Sequence, residues 1–163
     1  ELADIIYNYG EERFSRRIAR AIVMARQQAP IEKTEQLVQI ILNAVPKKEK
    51  HKHGATRTFQ AIRIFINDEL NELMAVLPQC LNLLKIHGRL AVISFHSLED
   101  RIVKRFIQKE SRGPQVSRYV PITGDKKQNR LNPRHKPIKP TDAEVISNPR
   151  SRSAILRIAE KMQ

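Results

Sequence analysis

Tryptophan is absent and aromatic residues make up 5% of the chain, so any core must be aliphatic. One cysteine, Cys80, excludes an internal disulfide and fits a reducing, cytoplasmic setting. Cys80 sits in an apolar helical pattern and reads as a small core residue. Neither a G-x-G-x-x-G turn nor a Walker loop occurs, which removes the two commonest phosphate-cradling signatures. No apolar run reaches the roughly 18 residues of a membrane span. The acidic start Glu1-Leu2-Ala3-Asp4 has no apolar h-region, so a signal peptide is not expected there.

Acidic residues are also scarce. The 30 Lys and Arg outnumber 17 Asp and Glu, giving a net charge of +13. The imbalance is local: residues 1–82 carry 12 bases against 10 acids, whereas 83–163 carry 18 against 7, and 101–139 alone 12 against 2. A concentrated basic field points to a polyanion, most simply nucleic acid. A solubilising surface and an anionic membrane contact are the alternatives. No basic amphipathic helix with bulky aromatics supports the membrane version.

At 163 residues and 40% hydrophobic, the chain is one domain or parts of two. The first half reads as helical. A short opener at Leu2 to Tyr7 is separated by Gly10 from a helix with Phe14, Ile18, Ile22 and Ala25 on one face, which Pro30 ends. A second helix from about Thr34 turns Leu37, Ile40, Ile41 and Ala44 inward, and a polar link at 46–54 follows. Apolar residues from Phe59 to Leu84 then recur at steps of three and four, predicting one long helix with a kink or restart at Pro78. Gly88 closes it. Residues 89–95 read as a strand and Asp100 to Lys109 as a helix, so the class is α/β. The segment 111–139, rich in Pro, Gly and bases, is expected to be a long flexible loop. A capped helix start at Thr141 and a last strand at 153–159 complete the pattern.

Polar chemistry collects after the strand. In open α/β sheets ligands bind at the carboxyl ends of strands, and here that tip reads Ser94-Phe95-His96-Ser97-Leu98-Glu99-Asp100-Arg101. His96 is a base or hydrogen-bonding group near neutrality. Ser97 beside it is not read as a nucleophile, since neighbours on a strand face opposite ways and no third group is evident. Ser97 is expected to be an N-cap, with Glu99 and Asp100 in the first turn. Arg101, Lys104 and Arg105 fall on one helical face that could hold phosphates or be a solvated stripe. Arg150 and Arg152, on an extended chain, would point to one side and, with Arg157, form a second basic cluster; an ion pair at the sheet edge is the alternative. His51 and His53 lack further ligands, so a basic turn is favoured there and no metal site is expected.

Four blocks together carry a family likeness. They are Tyr9-Gly10-Glu11-Glu12-Arg13-Phe14; Ala55 to Ile64 with Asn67-Asp68-Glu69-Leu70; Gly88 to Arg101; and Asn148-Pro149-Arg150-Ser151-Arg152-Ser153. In order and spacing the chain resembles the C-terminal half of the bacterial MraW/RsmH family of 16S rRNA cytosine-N4 methyltransferases. The resemblance implies part of a Rossmann-like S-adenosylmethionine-dependent methyltransferase domain together with part of a helical insertion domain. Residues 1–54 would be the rear of the insertion and 55–163 the later strands and helices of the methyltransferase domain. It implies S-adenosylmethionine as methyl donor, with its site in the N-terminal half of the family, so no residue here is assigned to the cofactor. It implies 16S rRNA of the small ribosomal subunit as partner, in the cytoplasm, with no membrane. His96 or Glu99, the candidate catalytic residues, would contact the cytosine amine, and Arg57, Arg63, Arg101, Lys104, Arg105, Arg150 and Arg152 would bind RNA. A non-catalytic basic RNA-binding or docking module is the alternative function, and a basic ribosomal protein is a third class. Sheet edges left without strands would be exposed or would pair with a second copy, giving a homodimer.

Overall fold

A computed structural model describes residues 1–46, 53–112 and 129–163. Packing divides the chain into two compact units, Glu1–Glu69 and Leu70–Gln163.

The first unit is helical: α1 (Leu2–Gly10), α2 (Ser15–Gln28), α3 (Thr34–Ala44) and α4 (Thr56–Asn67). Its core is aliphatic, as the composition requires. Ile6, Ile18, Ala19, Ile22, Ile41, Ala44 and Ala55 are buried together, with Phe14, Leu37, Ile40 and Phe59 packed against them. Gln36 helps start α3, because its side-chain oxygen accepts from the Glu32 and Lys33 amides at 2.9 Å each. Gly10 ends α1 where it meets α4. A Cβ on Gly10 would lie 2.6 Å from the Arg57 carbonyl oxygen, so only glycine permits this approach.

The long helix expected from Phe59 to Leu84 is two helices. The break falls at Asp68, whose φ of 51° is left-handed and ends α4. Pro78 lies inside α5 (Glu69–Leu83) without ending it. The Ala75 carbonyl one turn earlier accepts from Gln79 Nε2 at 3.0 Å. A pattern of apolar steps cannot distinguish one helix from two that resume in phase. As compact packing goes, α4 groups with α1 in the first unit, not with the segment after residue 70.

The second unit contains α5, β1 (Arg89–Ser94), α6 (Ser97–Arg112), β2 (Leu131–Pro133), α7 (Asp142–Ser147), a 3-10 turn (Pro149–Ser153) and β3 (Ile155–Lys161). The sheet order is β1-β3-β2 and both pairings are antiparallel. The last strand is therefore the central one and β1 lies at an edge. Leu77, Leu81, Leu90, Val103, Ile107, Leu131 and Ala159 form its core, with Cys80 partly buried beside them. This covers the sheet face of Leu90, Val92 and Ser94; on the other face Ile93 is 58% exposed.

The loop expected over 111–139 is only partly one. Ser111 and Arg112 finish α6, and 113–128 fall outside the described residues, as do Lys47 to Lys52 of the polar link. Residues 131–138 instead line the free side of β3. Leu131 is 1% exposed, and Ile138 bridges to Leu156. Proline-rich composition hid this strand because it is three residues long and ends on Pro133.

Glu160 on β3 is 5% exposed, yet it bonds His87 Nδ1 at 3.0 Å and Arg134 Nε at 2.7 Å. The hydrogen bond from His87, then that from Arg134, holds its carboxyl below the usual carboxylate range. A depressed carboxylate contributes stability above its unfolded pKa and loses it as pH falls through the folded value.

Candidate functional site

Antiparallel pairing of β1 with β3 sets Ser94 opposite Ile155. The carboxyl end of β1 and the start of β3 are therefore at one end of the sheet. The 94–101 tip leaves β1 there, and the turn carrying Arg150 and Arg152 enters β3 at the same end. Two sequence blocks separated by about a third of the chain thus share one end of the sheet. The first two blocks also meet, in the other unit. Gly10 abuts Arg57 and Ala61, Gln60 Nε2 donates to the Tyr9 carbonyl at 3.1 Å, and Arg57 reaches the Glu11 carbonyl at 3.4 Å.

His96 and Glu99 form a reciprocal cap. One oxygen of Glu99, Oε2, accepts from the amides of Phe95 at 2.8 Å and His96 at 3.2 Å. The Glu99 amide in turn donates to His96 Nδ1 at 3.3 Å. This is a capping box with His96 in the place expected of Ser97, which instead begins the helix. An imidazole nitrogen accepts a backbone N–H as a serine oxygen does, so hydroxyl preference alone pointed one residue too far. The cap also fixes chemistry. If Nδ1 accepts, the neutral ring carries its proton on Nε2. Glu99 Oε1 lies 3.4 Å from that nitrogen. A hydrogen-bond donor and a carboxylate oxygen are thus side by side, both tied to the backbone.

One turn later, Asp100 holds Arg157 through two bonds, Nε to Oδ1 at 2.6 Å and NH2 to Oδ2 at 2.9 Å. Both side chains are 17% exposed. The alternative of an ion pair at the sheet, not a phosphate contact, is what Arg157 adopts. Replacing Arg157 with leucine strands a half-buried carboxylate, so urea unfolding is expected to show a loss of about 1–3 kcal/mol. Adding Asp100→Asn should restore part of it. A double-mutant cycle with no coupling would mean the pair is incidental.

The remaining arginines fall into two groups. Arg63 is gripped by Glu69 at 2.8 and 2.9 Å, and Arg57 lies 3.9 Å from Glu12. Both therefore have roles inside the first unit. Arg101, Lys104 and Arg105 are exposed on α6, opposite its buried Leu98, Val103 and Ile107. Arg150 and Arg152 are exposed too, but on a 3-10 turn held by Asn148, whose carbonyl accepts from the Ser151 hydroxyl at 2.8 Å. The alternation argued for an extended chain does not apply to them. His53, whose Nδ1 accepts from the Ala55 amide, belongs to the turn before α4. Sequence reading missed His135, which lies across a cleft from Lys104; its place in a proline-rich stretch gave no periodicity to find it by.

Among the described residues of the second unit, the turn that leaves β1 is not a glycine turn. The amides of Phe95 and His96 in that turn are already taken by Glu99.

The chain mixes helices with a small antiparallel sheet, as expected of the C-terminal part of a Rossmann-like methyltransferase. The MraW methylase family model matches residues 1–162, and the chain belongs to that family. It is similar to the protein named ribosomal RNA small subunit methyltransferase H of Coxiella burnetii (strain RSA 493 / Nine Mile phase I), with 57% identity over 162 residues. It is also similar to proteins of the same name from Thiobacillus denitrificans (55%) and Thioalkalivibrio sulfidiphilus (53%), each over 163 residues. In all three, 99% of this chain is covered but 52% of the relative, so the chain spans about half the length of the curated relatives it matches.

Proposed function

We propose that this chain forms the base-presenting part of an S-adenosylmethionine-dependent enzyme that methylates N4 of a cytidine in the decoding region of 16S rRNA. The observation that carries this reading is the pairing of Ser94 with Ile155, which gathers His96, Glu99, Arg150 and Arg152 at one end of the sheet. On this reading residues 1–54 are the rear of a helical insertion and 55–163 part of the methyltransferase domain. The enzyme works on the small ribosomal subunit in the cytoplasm. Among the described residues no helix is long and apolar enough to cross a membrane.

The chemistry follows from the reciprocal cap. Cytosine offers a donor at N4 and an acceptor at N3. Glu99 Oε1 is the matching acceptor for N4, and His96 Nε2, buried 3.4 Å from it, orients that oxygen. The N4 lone pair is delocalised into the ring, so the amine must be aligned and relieved of a proton as it reacts. Glu99 Oε1 accepts that proton, and His96 positions the carboxylate through both ring nitrogens. The base reaches them by leaving its stack. Arg101, Lys104, Arg105, Arg150 and Arg152 hold flanking phosphates, with Arg57 and Arg63 as further RNA contacts if they exchange their carboxylate partners. S-adenosylmethionine, when bound, supplies an electrophilic methyl group. Its site is assigned to the remainder of the full-length protein.

The test is methyl transfer by the full-length protein to small subunits lacking the modification, with the modified atom located by mass spectrometry of nucleosides. Label on N4 of one cytidine is expected; label elsewhere, or none with an intact methyl donor and subunit, overturns the proposal. A non-catalytic RNA-docking module is the second reading, favoured by the net charge of +13. It requires rRNA binding without any methyl transfer. The outer edge of β1 has no strand partner among the described residues, which supports a further strand from the full-length protein or, in a homodimer, from a second copy.

A further inference from the structure

We propose that the cleft between α6 and the β2–β3 edge is a subsite for the RNA sugar-phosphate backbone leading away from the tip. This rests on rRNA being the substrate. The cleft has a volume of about 220 Å³ and is formed by three separate segments. Its lining includes Ile107, buried on α6, and Ile158 of β3. Its rim carries Lys104 and Arg112 from α6 and His135 from the segment after β2, with Gln108 between the two α6 cations. Lys104, Gln108 and Arg112 recur every four residues, so they form one stripe along the helix.

Three features favour a polynucleotide over a single anion or a merely solvated stripe. First, the charge is unspent. Arg157 at the cleft wall is committed to Asp100, but among the described residues no ion pair engages Lys104, Arg112 or His135. Second, the stripe is long. Lys104 and Arg112 are about 12 Å apart along the helix axis, which suits phosphates separated by an intervening one. Third, the cleft has a direction. Lys104 is one turn beyond Asp100, whose partner Arg157 lines the cleft, so the stripe starts one turn after the helix start that carries the tip and runs along α6 towards its end. A strand whose base enters the tip therefore meets a cationic track for its flanking nucleotides. Gln108 and Ser111 add polar groups able to meet sugar hydroxyls.

The experiment measures binding of a 16S rRNA fragment by the full-length protein across a potassium chloride series. Each phosphate contact contributes about 0.7 to 0.9 to the slope of log affinity against log salt. The double variant Lys104→Gln/Arg112→Gln is expected to bind more weakly and to lower the slope by roughly 1.4 to 1.8. The charge-preserving pair Lys104→Arg/Arg112→Lys should keep the wild-type slope. Both positions are exposed, so the melting temperature should stay unchanged. Should the double variant unfold, each single glutamine variant is expected to lower the slope by one contact. A wild-type protein that does not bind rRNA in a salt-dependent way overturns the rRNA reading itself. Wild-type binding together with an unchanged slope in the glutamine variants overturns the cleft alone.

Discussion

Glu99→Gln in the full-length protein is expected to cut methyl transfer by a factor of about 10² to 10⁴ while leaving stability and rRNA affinity close to wild type. The separation is possible because both backbone amides, of Phe95 and His96, donate to the same carboxylate oxygen. A glutamine carbonyl can accept both, so the start of α6 stays closed. What disappears is the second oxygen, Oε1, the one beside His96 Nε2. An amide nitrogen there donates and cannot take a proton. Glu99→Ala, by contrast, removes the cap as well, costing about 0.5–2 kcal/mol by comparison with other cap deletions. Alanine would therefore lower stability and turnover together and could not assign the role. Single-turnover rates, urea midpoints and RNA affinities for both variants decide the matter. Full turnover in the glutamine variant would reduce Glu99 to a helix cap.

Gly10→Ala is expected to destabilise the first unit by about 1–3 kcal/mol, read as a lower urea midpoint. Alanine is the better helix former by about 1 kcal/mol in a helix interior, so helix propensity alone predicts the opposite sign. Sterics decide. The added methyl would sit 2.6 Å from the Arg57 carbonyl oxygen and 3.3 Å from Ala61 Cβ. A side chain can rotate away, but a carbonyl inside α4 cannot without disturbing its helix. Ala61→Gly should therefore fail to rescue Gly10→Ala, although it empties the second contact. A midpoint unchanged by Gly10→Ala would show that α1 and α4 separate freely there. The same displacement would move Arg57 from Glu12 and the Glu11 carbonyl, so activity in the full-length protein is a second readout.

Much of the local structure was legible in the sequence. Ile18 and Ile22, or Leu77 and Leu81, are four residues apart and buried together because a helix brings every fourth side chain to one face. Strand β1, the helix after it and the capped start at Thr141 were readable for the same reason: each is specified by its own neighbours. The 94–101 tip was legible as a cluster of polar groups, and the four blocks were legible as a family pattern. Cap chemistry was misjudged by one residue, at His96, because a ring nitrogen took a role more often held by a hydroxyl.

By itself the sequence determined the helical faces, the aliphatic character of both cores, the basic second half and the family. These depend on composition and on spacing within a few residues. Only the tertiary structure decided that β3 lies between β1 and β2, that helix breaks at Asp68 and not Pro78, and that Arg157 belongs to Asp100. It alone set Lys104 across a cleft from His135, and Gly10 against the Arg57 carbonyl. Such contacts join residues tens of positions apart, and no local periodicity encodes them. They are fixed when two cores close and each buried charge or amide must find a partner.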